Sequence, residues 1–211
     1  MKFDDFIGHI GGLSCIDTDV LLAGQPNPGP FRVQLSRWAK SGKLIQLKRG
    51  VYVLNQPYRK FEISELAIAA VLKKPSYISI EKALEYHGLI PEAVYTITSV
   101  TTKRTAAYET ELGNFDYRHI RPSLFWGYET VRQNNHTAFI ACAEKALLDL
   151  FYLKNVPVSF EYIDEMRLQN TGKICLSRLK QYARKFDKPK ILKTANALCE
   201  YFKNKKSGKN L

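Results

Sequence analysis

Three side chains could together support metal-dependent cleavage of nucleic acid, namely Asp116, Glu144 and Lys145. In such nucleases carboxylates hold a metal ion that activates water, and a lysine assists them. One residue usually separates the second carboxylate from its lysine. Glu144 and Lys145 are adjacent, so their side chains would diverge on a helix. We therefore expect no catalytic residue and no enzyme, and a metal-dependent nuclease is the less favoured alternative.

Sequence motifs for other catalytic or cofactor chemistry are missing. Four cysteines lie far apart without C-x-x-C spacing: Cys15, Cys142, Cys175 and Cys199. The four histidines are equally scattered. Gly11 and Gly12 lack the spacing of a phosphate-binding loop, and no Ser-His-Asp or Cys-His set can be assigned. The sequence therefore predicts no metal site and no cofactor.

Positive charge is concentrated at the two ends of the chain. The net charge is +5 over residues 1–61, −2 over residues 62–153 and +9 over residues 154–211, which together give +12. No carboxylate stands from Val20 through Phe61. An ordinary solvated surface mixes both signs, whereas each carboxylate would repel a DNA backbone. This acid-free stretch therefore favours a phosphate-binding surface.

The elements that would position these cations are three helices followed by a hairpin. We expect the helices at residues 3–10, 18–23 and 30–41, and the hairpin strands at 43–47 and 51–54. Pro30 suits a first helical turn, Gly42 ends the helix, and Gly50 suits the hairpin turn. This order is typical of a winged helix, whose third helix enters the major groove while the hairpin contacts a flanking phosphate or the minor groove.

The third helix divides into an apolar stripe and a basic face. The stripe has helical spacing and comprises Phe31, Leu35, Trp38 and Ala39. The expected DNA-binding residues lie outside it or in the hairpin: Arg32, Val33, Gln34, Ser36, Arg37, Lys40, Lys48 and Arg49. Of these, we expect Arg32, Ser36 and Arg37 to face bases. We expect Lys40, Lys48 and Arg49 to face phosphates. The alternative is a helix and hairpin used for protein contact.

The remaining chain predicts an α+β fold. Its expected parts are the winged-helix domain at 1–57, an α/β core at 58–153, a helical part at 154–205 and a disordered tail at 206–211, with disorder setting in from Lys203. Within the core we expect helices at 61–72, 79–86 and 143–153, and strands at 94–101, 110–112, 115–120 and 138–141. Turns are expected at Gly113-Asn114 and Asn134-Asn135, and the sheet is expected to be largely antiparallel.

Four segments stand in order between residues 77 and 150: YISIEKALEYHGLIPE at 77–92, TTKR at 101–104, the 108–120 segment with YRHI, and AEKALLDL at 143–150. Two shorter segments precede them at 42–45 and 49–52. Together, over roughly residues 30–155, these segments resemble the AbiEi family of antitoxins and transcriptional regulators. The resemblance implies a winged helix that represses its operon promoter, and an antitoxin domain that counters an AbiEii-like nucleotidyltransferase toxin in a type IV toxin-antitoxin system of phage defence. A stand-alone regulator is the alternative.

Two further residue sets are candidate functional surfaces. Within the family-like motifs the polar candidates are Glu81, Tyr86, His87, Arg104, Tyr117, Arg118, His119 and Glu144. Such residues also complete internal hydrogen bonds and ion pairs, which is the competing interpretation. The C-terminal set could contact the toxin or additional DNA: Arg178, Lys180, Arg184, Lys185, Lys188, Lys190 and Lys193. Here the competing interpretation is a solvated helix face.

The expected partners are double-stranded DNA and a protein toxin, not a membrane. Because one winged helix contacts few base pairs, we expect an operator with inverted repeats bound by two copies of the chain. The longest apolar run, around residues 63–72, is interrupted by Glu65 and is too short to cross a bilayer. Asp4 and Asp5 stand where a secretory signal would be basic, so we expect a cytoplasmic location. A general adaptor would leave the acid-free stretch unexplained.

Overall fold

The computed structural model describes residues 1–10, 12–13, 15–133, 136–154 and 156–206, without the side chains of Gln133 and Lys206. Its helices are α1 Phe3–Ile10, α2 Thr18–Leu21, α3 Gly29–Lys40, α4 Glu65–Leu72, α5 Ile80–Tyr86, α6 Ala143–Leu153, α7 Phe160–Glu165, α8 Leu176–Lys185 and α9 Pro189–Lys206. Its strands are β1 Cys15–Asp17, β2 Leu44–Lys48, β3 Val51–Leu54, β4 Ser76–Ile78, β5 Thr96–Thr101, β6 Ala106–Thr110, β7 Gly113–His119, β8 Tyr128–Gln133 and β9 His136–Ala141. The predicted turn at Asn134-Asn135 and residues 207–211 lie outside this description.

The N-terminal region combines α1, α2 and α3 with a three-stranded antiparallel sheet in the order β1-β3-β2. Its core contains Phe6, Leu35, Trp38 and Tyr52, and the rings of Phe6 and Trp38 stack with centroids 4.9 Å apart. The predicted helices and hairpin strands match within two residues at each end. Strand β1 was not predicted, because three residues are too few to display an alternating pattern.

Strand β3 joins this region to the rest of the chain because both of its faces are buried. Val51 and Val53 pack into the larger core, whereas Tyr52 and Leu54 pack among the N-terminal helices. Successive side chains of a strand point to opposite faces, so one strand can serve two cores. The N-terminal sheet is therefore packed against the second unit.

The larger sheet has six strands in the order β6-β7-β5-β4-β9-β8. Strand β7 runs parallel to β5, and β9 runs parallel to β4, while the other three neighbouring pairs are antiparallel. The sheet is thus mixed, and the prediction of a largely antiparallel sheet is confirmed only in part, for three of the five pairs. The reason is that β7 folds back between β6 and β5, a non-local pairing that strand patterns do not encode.

Local hydrogen bonds explain where other predicted boundaries shifted. Helix α4 begins at Glu65 and not at residue 61, because the Ser64 hydroxyl caps it by accepting from the Leu66 amide at 3.2 Å. The β6–β7 turn precedes Gly113, where the Thr110 hydroxyl accepts from the Leu112 amide at 3.1 Å and donates to the Gly113 carbonyl at 2.9 Å. A short side-chain turn therefore replaces the expected Gly-Asn turn.

In the sequence of the C-terminal helices α8 and α9, apolar residues recur at helical spacing, and those that include Leu179, Ala183, Ala195 and Leu198 are buried where the two helices pack against α6. Helix α9 continues to Lys206, so the expected disorder from Lys203 is wrong for residues 203–206. Its end is held by Tyr201, which donates to Asp164 at 2.7 Å, and by Lys205, which donates to the Leu168 carbonyl at 2.8 Å. In the part of the chain described here, no helix has the length and apolar character needed to cross a membrane.

Candidate nucleic-acid interface

The outward face of α3 is exposed along the whole helix. Arg32, Val33, Ser36, Arg37 and Lys40 are exposed, as the periodicity predicts, and Gln34 is half-buried. On the opposite side the predicted stripe is confirmed, with Leu35 and Trp38 buried and the other two members packed against the same core. The twelve residues of α3 therefore present three cations to solvent from a helix anchored by aromatic packing.

An ion pair connects α3 with α2. Arg32 lies 3.4 Å from Asp19, and both side chains are largely exposed. Exposed pairs of this kind are weak because water and salt screen them. Arg32 is thus able to exchange this carboxylate for another anion.

The hairpin turn has a defined position relative to α2. The amide and the hydroxyl of Thr18 both donate to the Gly50 carbonyl, at 2.9 and 3.0 Å. Gly50 has φ +84°, and a Cβ there would lie 3.0 Å from the Thr18 hydroxyl oxygen, so glycine is required. The neighbouring Arg49 is exposed, and it adjoins a turn whose backbone is hydrogen-bonded to the first residue of α2.

Lys48, which the sequence predicts to face phosphates, is half-buried, and its ammonium is engaged within the protein. Its ammonium donates to the carbonyl of Leu72, the last residue of α4, and lies 5.6 Å from the ring centroid of Tyr108. Burial lowers the pKa of Lys48, with Asp17 opposing that effect. The physical reason is that a helix C-terminus offers unsatisfied carbonyls that attract a cation. Lys48 therefore links the hairpin to the second unit.

Two members of the predicted polar surface of the second unit are buried, which is a second correction. Tyr117 donates its hydroxyl to the Ala69 carbonyl at 2.6 Å. Glu144 accepts from the Cys175 amide at 2.7 Å and lies 3.4 Å from the Nε of Arg178. Both side chains complete internal hydrogen bonds between elements that are distant in sequence, so neither belongs to a surface.

The other members of that set are dispersed. The Nε2 of His87 donates to the Ala141 carbonyl at 2.8 Å, and the Nδ1 of His119 donates to the Lys103 carbonyl at 3.0 Å. Tyr86 and Arg104 are exposed. Two pairs of the set lie close together: Glu81 and Arg118 line one cleft of about 460 Å³, and the rings of Tyr86 and His87 have centroids 5.3 Å apart. The charged lining residues of the cleft are Glu81, Asp116, Arg118 and Lys154.

The three nuclease candidates lie in different surroundings. Asp116 pairs with Arg118 at 2.6 Å, while Glu144 faces α8 as described above. Lys145 is buried, donates to the Tyr77 hydroxyl at 2.8 Å and forms an ion pair with Asp149. Asp149 also accepts from the hydroxyls of Tyr77 and Ser79, at 2.9 and 2.8 Å. Among the described side chains, no three of His, Cys, Asp or Glu are grouped to hold a metal ion.

The C-terminal cations remain at the surface of the α8–α9 pair. Six of the seven are exposed and Lys190 is half-buried. Arg178 pairs with Glu144, and the ammonium of Lys185 lies 5.1 Å from the ring centroid of Trp126. Four exposed cations extend from the middle of α8 into α9: Lys180, Arg184, Lys188 and Lys193.

Sequence reasoning missed one basic group beside the hairpin. Lys73 and Lys74 follow α4, and Lys103 follows β5, yet the structure places all three near Arg49. In the sequence, Lys73 and Lys74 directly follow the helix predicted at 61–72, which by itself indicates only where that helix ends. No signal in the local pattern predicts their proximity to the hairpin, since residues 49 and 103 are far apart in sequence.

Comparison with protein-family models and with curated proteins gives no match for this chain.

Proposed function

We propose that the chain is a transcriptional repressor whose residues 1–57 form a winged helix that binds duplex DNA. The observation that carries the proposal is the exposed α3 face with Arg32, Arg37 and Lys40, in a stretch without carboxylates that also includes the exposed Arg49 of the hairpin turn. The element order α1-β1-α2-α3-β2-β3 supports it, because winged helices place a recognition helix before their hairpin.

The dimensions of α3 suit the proposed docking. Its 12 residues extend about 18 Å at 1.5 Å each, and the major groove is wide enough to admit a helix. Arg37 lies in the last turn on the exposed face and can donate two hydrogen bonds to a guanine edge. Lys40 and Arg49 would contact phosphates on either side. Two copies on an inverted repeat would supply the specificity that one helix lacks.

Substitution of Arg37 and Arg49 should separate base contacts from phosphate contacts. On a sequence selected from a random duplex library, Arg37→Ala should cost about 1–3 kcal/mol of binding free energy and relax base preference at one position. Arg49→Ala should weaken binding to all sequences and lower the slope of log K against log salt by about one. Fluorescence anisotropy over a salt series measures both effects.

The matched control is Lys203→Ala, which removes one exposed cation from α9. We expect the control to bind DNA like the parent chain. A folded Arg37→Ala, Arg49→Ala double variant with unchanged DNA affinity would refute the assignment of this face.

We further propose that the chain counters an AbiEii-like nucleotidyltransferase toxin. Support comes from the AbiEi-like motifs and from the exposed cations of α8 and α9, which could face an acidic surface of such a partner. Complementary charge would raise the association rate and would be screened by salt. A stand-alone regulator would share the first function and lack this one.

Charge reversal on α8 and α9 should abolish toxin neutralisation without affecting DNA binding. The variant combines Lys180→Glu, Arg184→Glu, Lys188→Glu and Lys193→Glu. These positions are chosen because each side chain is exposed and none contacts Trp126 or Glu144. Cells that co-express the toxin should fail to grow, while the purified variant retains the parent affinity for the selected duplex. The opposite outcome, normal protection with lost DNA binding, would assign this surface to DNA.

A further inference from the structure

A basic cleft of about 290 Å³ lies between the β2–β3 turn and the second unit. Its cationic lining residues are Lys48, Arg49, Lys73, Lys74 and Lys103. Asp17 and Asp19 are the carboxylates in its lining. The cleft is therefore built by both units of the chain, with the hairpin on one side and the ends of α4 and β5 on the other.

The two carboxylates of the cleft are already engaged. Asp17 accepts from Lys74 at 3.1 Å and caps α2 by accepting from the Asp19 amide at 3.1 Å. Asp19 pairs with Arg32. Among the described residues, no carboxylate forms an ion pair with Arg49, Lys73 or Lys103. The cleft therefore has an excess of positive charge.

The charges that line the cleft act on Lys48 in both directions. Burial is the main cause that lowers the pKa of Lys48, attraction to Asp17 and Asp19 raises it, and repulsion from Lys73 and Lys74 lowers it. Cations confined between protein walls focus the electric field and attract an anion. Binding of an anion would relieve this repulsion, so the cleft favours a negatively charged occupant.

We infer that the cleft holds a backbone phosphate of the duplex that α3 contacts, so that Lys73, Lys74 and Lys103 extend the DNA interface into the second unit. This inference rests on the proposed function. Its geometric basis is continuity: Asp19 lines the cleft and pairs with Arg32 of α3, and Arg49 belongs to both the cleft and the hairpin.

A duplex matches this arrangement better than a small phosphorylated ligand does. The cations extend from α3 through the hairpin to the second unit, and duplex DNA carries about one charge per 1.7 Å of its axis. A hairpin next to a recognition helix lies along the flanking backbone. One free phosphate could neutralise the cleft and would leave the adjoining cations of α3 without an anion.

The test compares two double variants of the full chain. The cleft variant carries Lys73→Gln and Lys103→Gln. The control carries Lys173→Gln and Lys203→Gln and so removes the same charge elsewhere. The probe is a random-sequence duplex, because phosphate contacts do not depend on sequence. The cleft variant should lower the slope of log K against log salt by about two, since each lost contact changes it by about 0.9. The control and Lys73→Arg, Lys103→Arg should keep the parent slope.

Three outcomes contradict the inference in distinguishable ways. An unchanged slope in the cleft variant, with DNA binding still lost in Arg37→Ala, Arg49→Ala, would overturn the inference and leave the proposed function standing. No binding of any duplex by the parent chain would remove both. In the third outcome the cleft variant keeps the parent slope, and inorganic phosphate raises the melting temperature of the parent chain but not that of the cleft variant. This result would assign the cleft to a free phosphate. Melting curves without ligand show whether each variant is folded.

Discussion

Replacing Lys145 with methionine is expected to destabilise the protein by about 3–5 kcal/mol, because it leaves a buried carboxylate without its cation. Lys145 and Asp149 are fully buried and form an ion pair across one turn of α6. The ammonium also lies about 5 Å from the ring centroids of Tyr77, Trp126 and Phe186. The pair therefore sits where α6 meets β4 and the C-terminal helices.

The loss should depend on pH in a defined direction. Burial raises the pKa of Asp149, and the ion pair with Lys145 opposes that rise. Without Lys145, the folded-state pKa of Asp149 should lie further above its unfolded value. Such a group contributes stability below the unfolded pKa and loses it as pH rises through the folded pKa. The variant should thus be closer to the parent in acid than at neutral pH.

Urea unfolding at several pH values measures this effect. The double variant that combines Lys145→Met with Asp149→Asn should regain much of the lost stability. It removes both charges and keeps a carbonyl acceptor for the hydroxyls of Tyr77 and Ser79. The matched control is Lys154→Met, which breaks the partly exposed pair with Glu81 and should cost at most about 1 kcal/mol. Equal stability of Lys145→Met and the control would show that the buried pair is not needed.

Replacing Trp38 with alanine should cost about 3–5 kcal/mol of stability and abolish DNA binding. Trp38 is buried, and its ring contacts those of Phe3, Phe6 and Phe31, with centroids 5.1, 4.9 and 6.3 Å away. These contacts hold α3 against α1. The N-terminal core is small, so the loss of its largest ring removes much of the packing that orients α3.

Urea unfolding and anisotropy on the selected duplex test this prediction together. Val20→Ala is the matched control, because Val20 is an exposed apolar residue of α2 outside the α3 face, and its truncation should change stability by less than about 0.5 kcal/mol. Full stability of Trp38→Ala would show that α3 does not depend on this core. Parent-like DNA affinity of an unfolded N-terminal region would separate DNA binding from α3.

Local pattern was sufficient wherever an element is stabilised by its own residues. The apolar spacing of α3, the glycine at its end and the glycine of the hairpin turn predicted that helix and both strands to within one residue. Helix α6 was predicted with its observed ends, Ala143 and Leu153. These signals survive folding because periodicity, capping and turn geometry depend on neighbours a few residues away.

The direction of individual polar side chains was decided only by tertiary packing. Local pattern left Tyr117 and Glu144 as surface candidates, and both were found buried. Lys48 was expected to face phosphates, yet the end of α4 lies close enough to offer it a carbonyl. Each of these outcomes depends on a partner at least 24 residues away in sequence.

The sequence by itself determined the three N-terminal helices and the hairpin, the exposed face of α3, the amphipathic pattern of α8 and α9 and the excess of basic residues. The tertiary structure alone decided that β7 pairs parallel with β5, that Lys145 is buried against Asp149, and that Lys103 meets the hairpin. The physical reason is the range of the interactions. Backbone propensity and side-chain period act over a few residues, whereas strand pairing, desolvation and charge clustering depend on which distant segments the fold brings together.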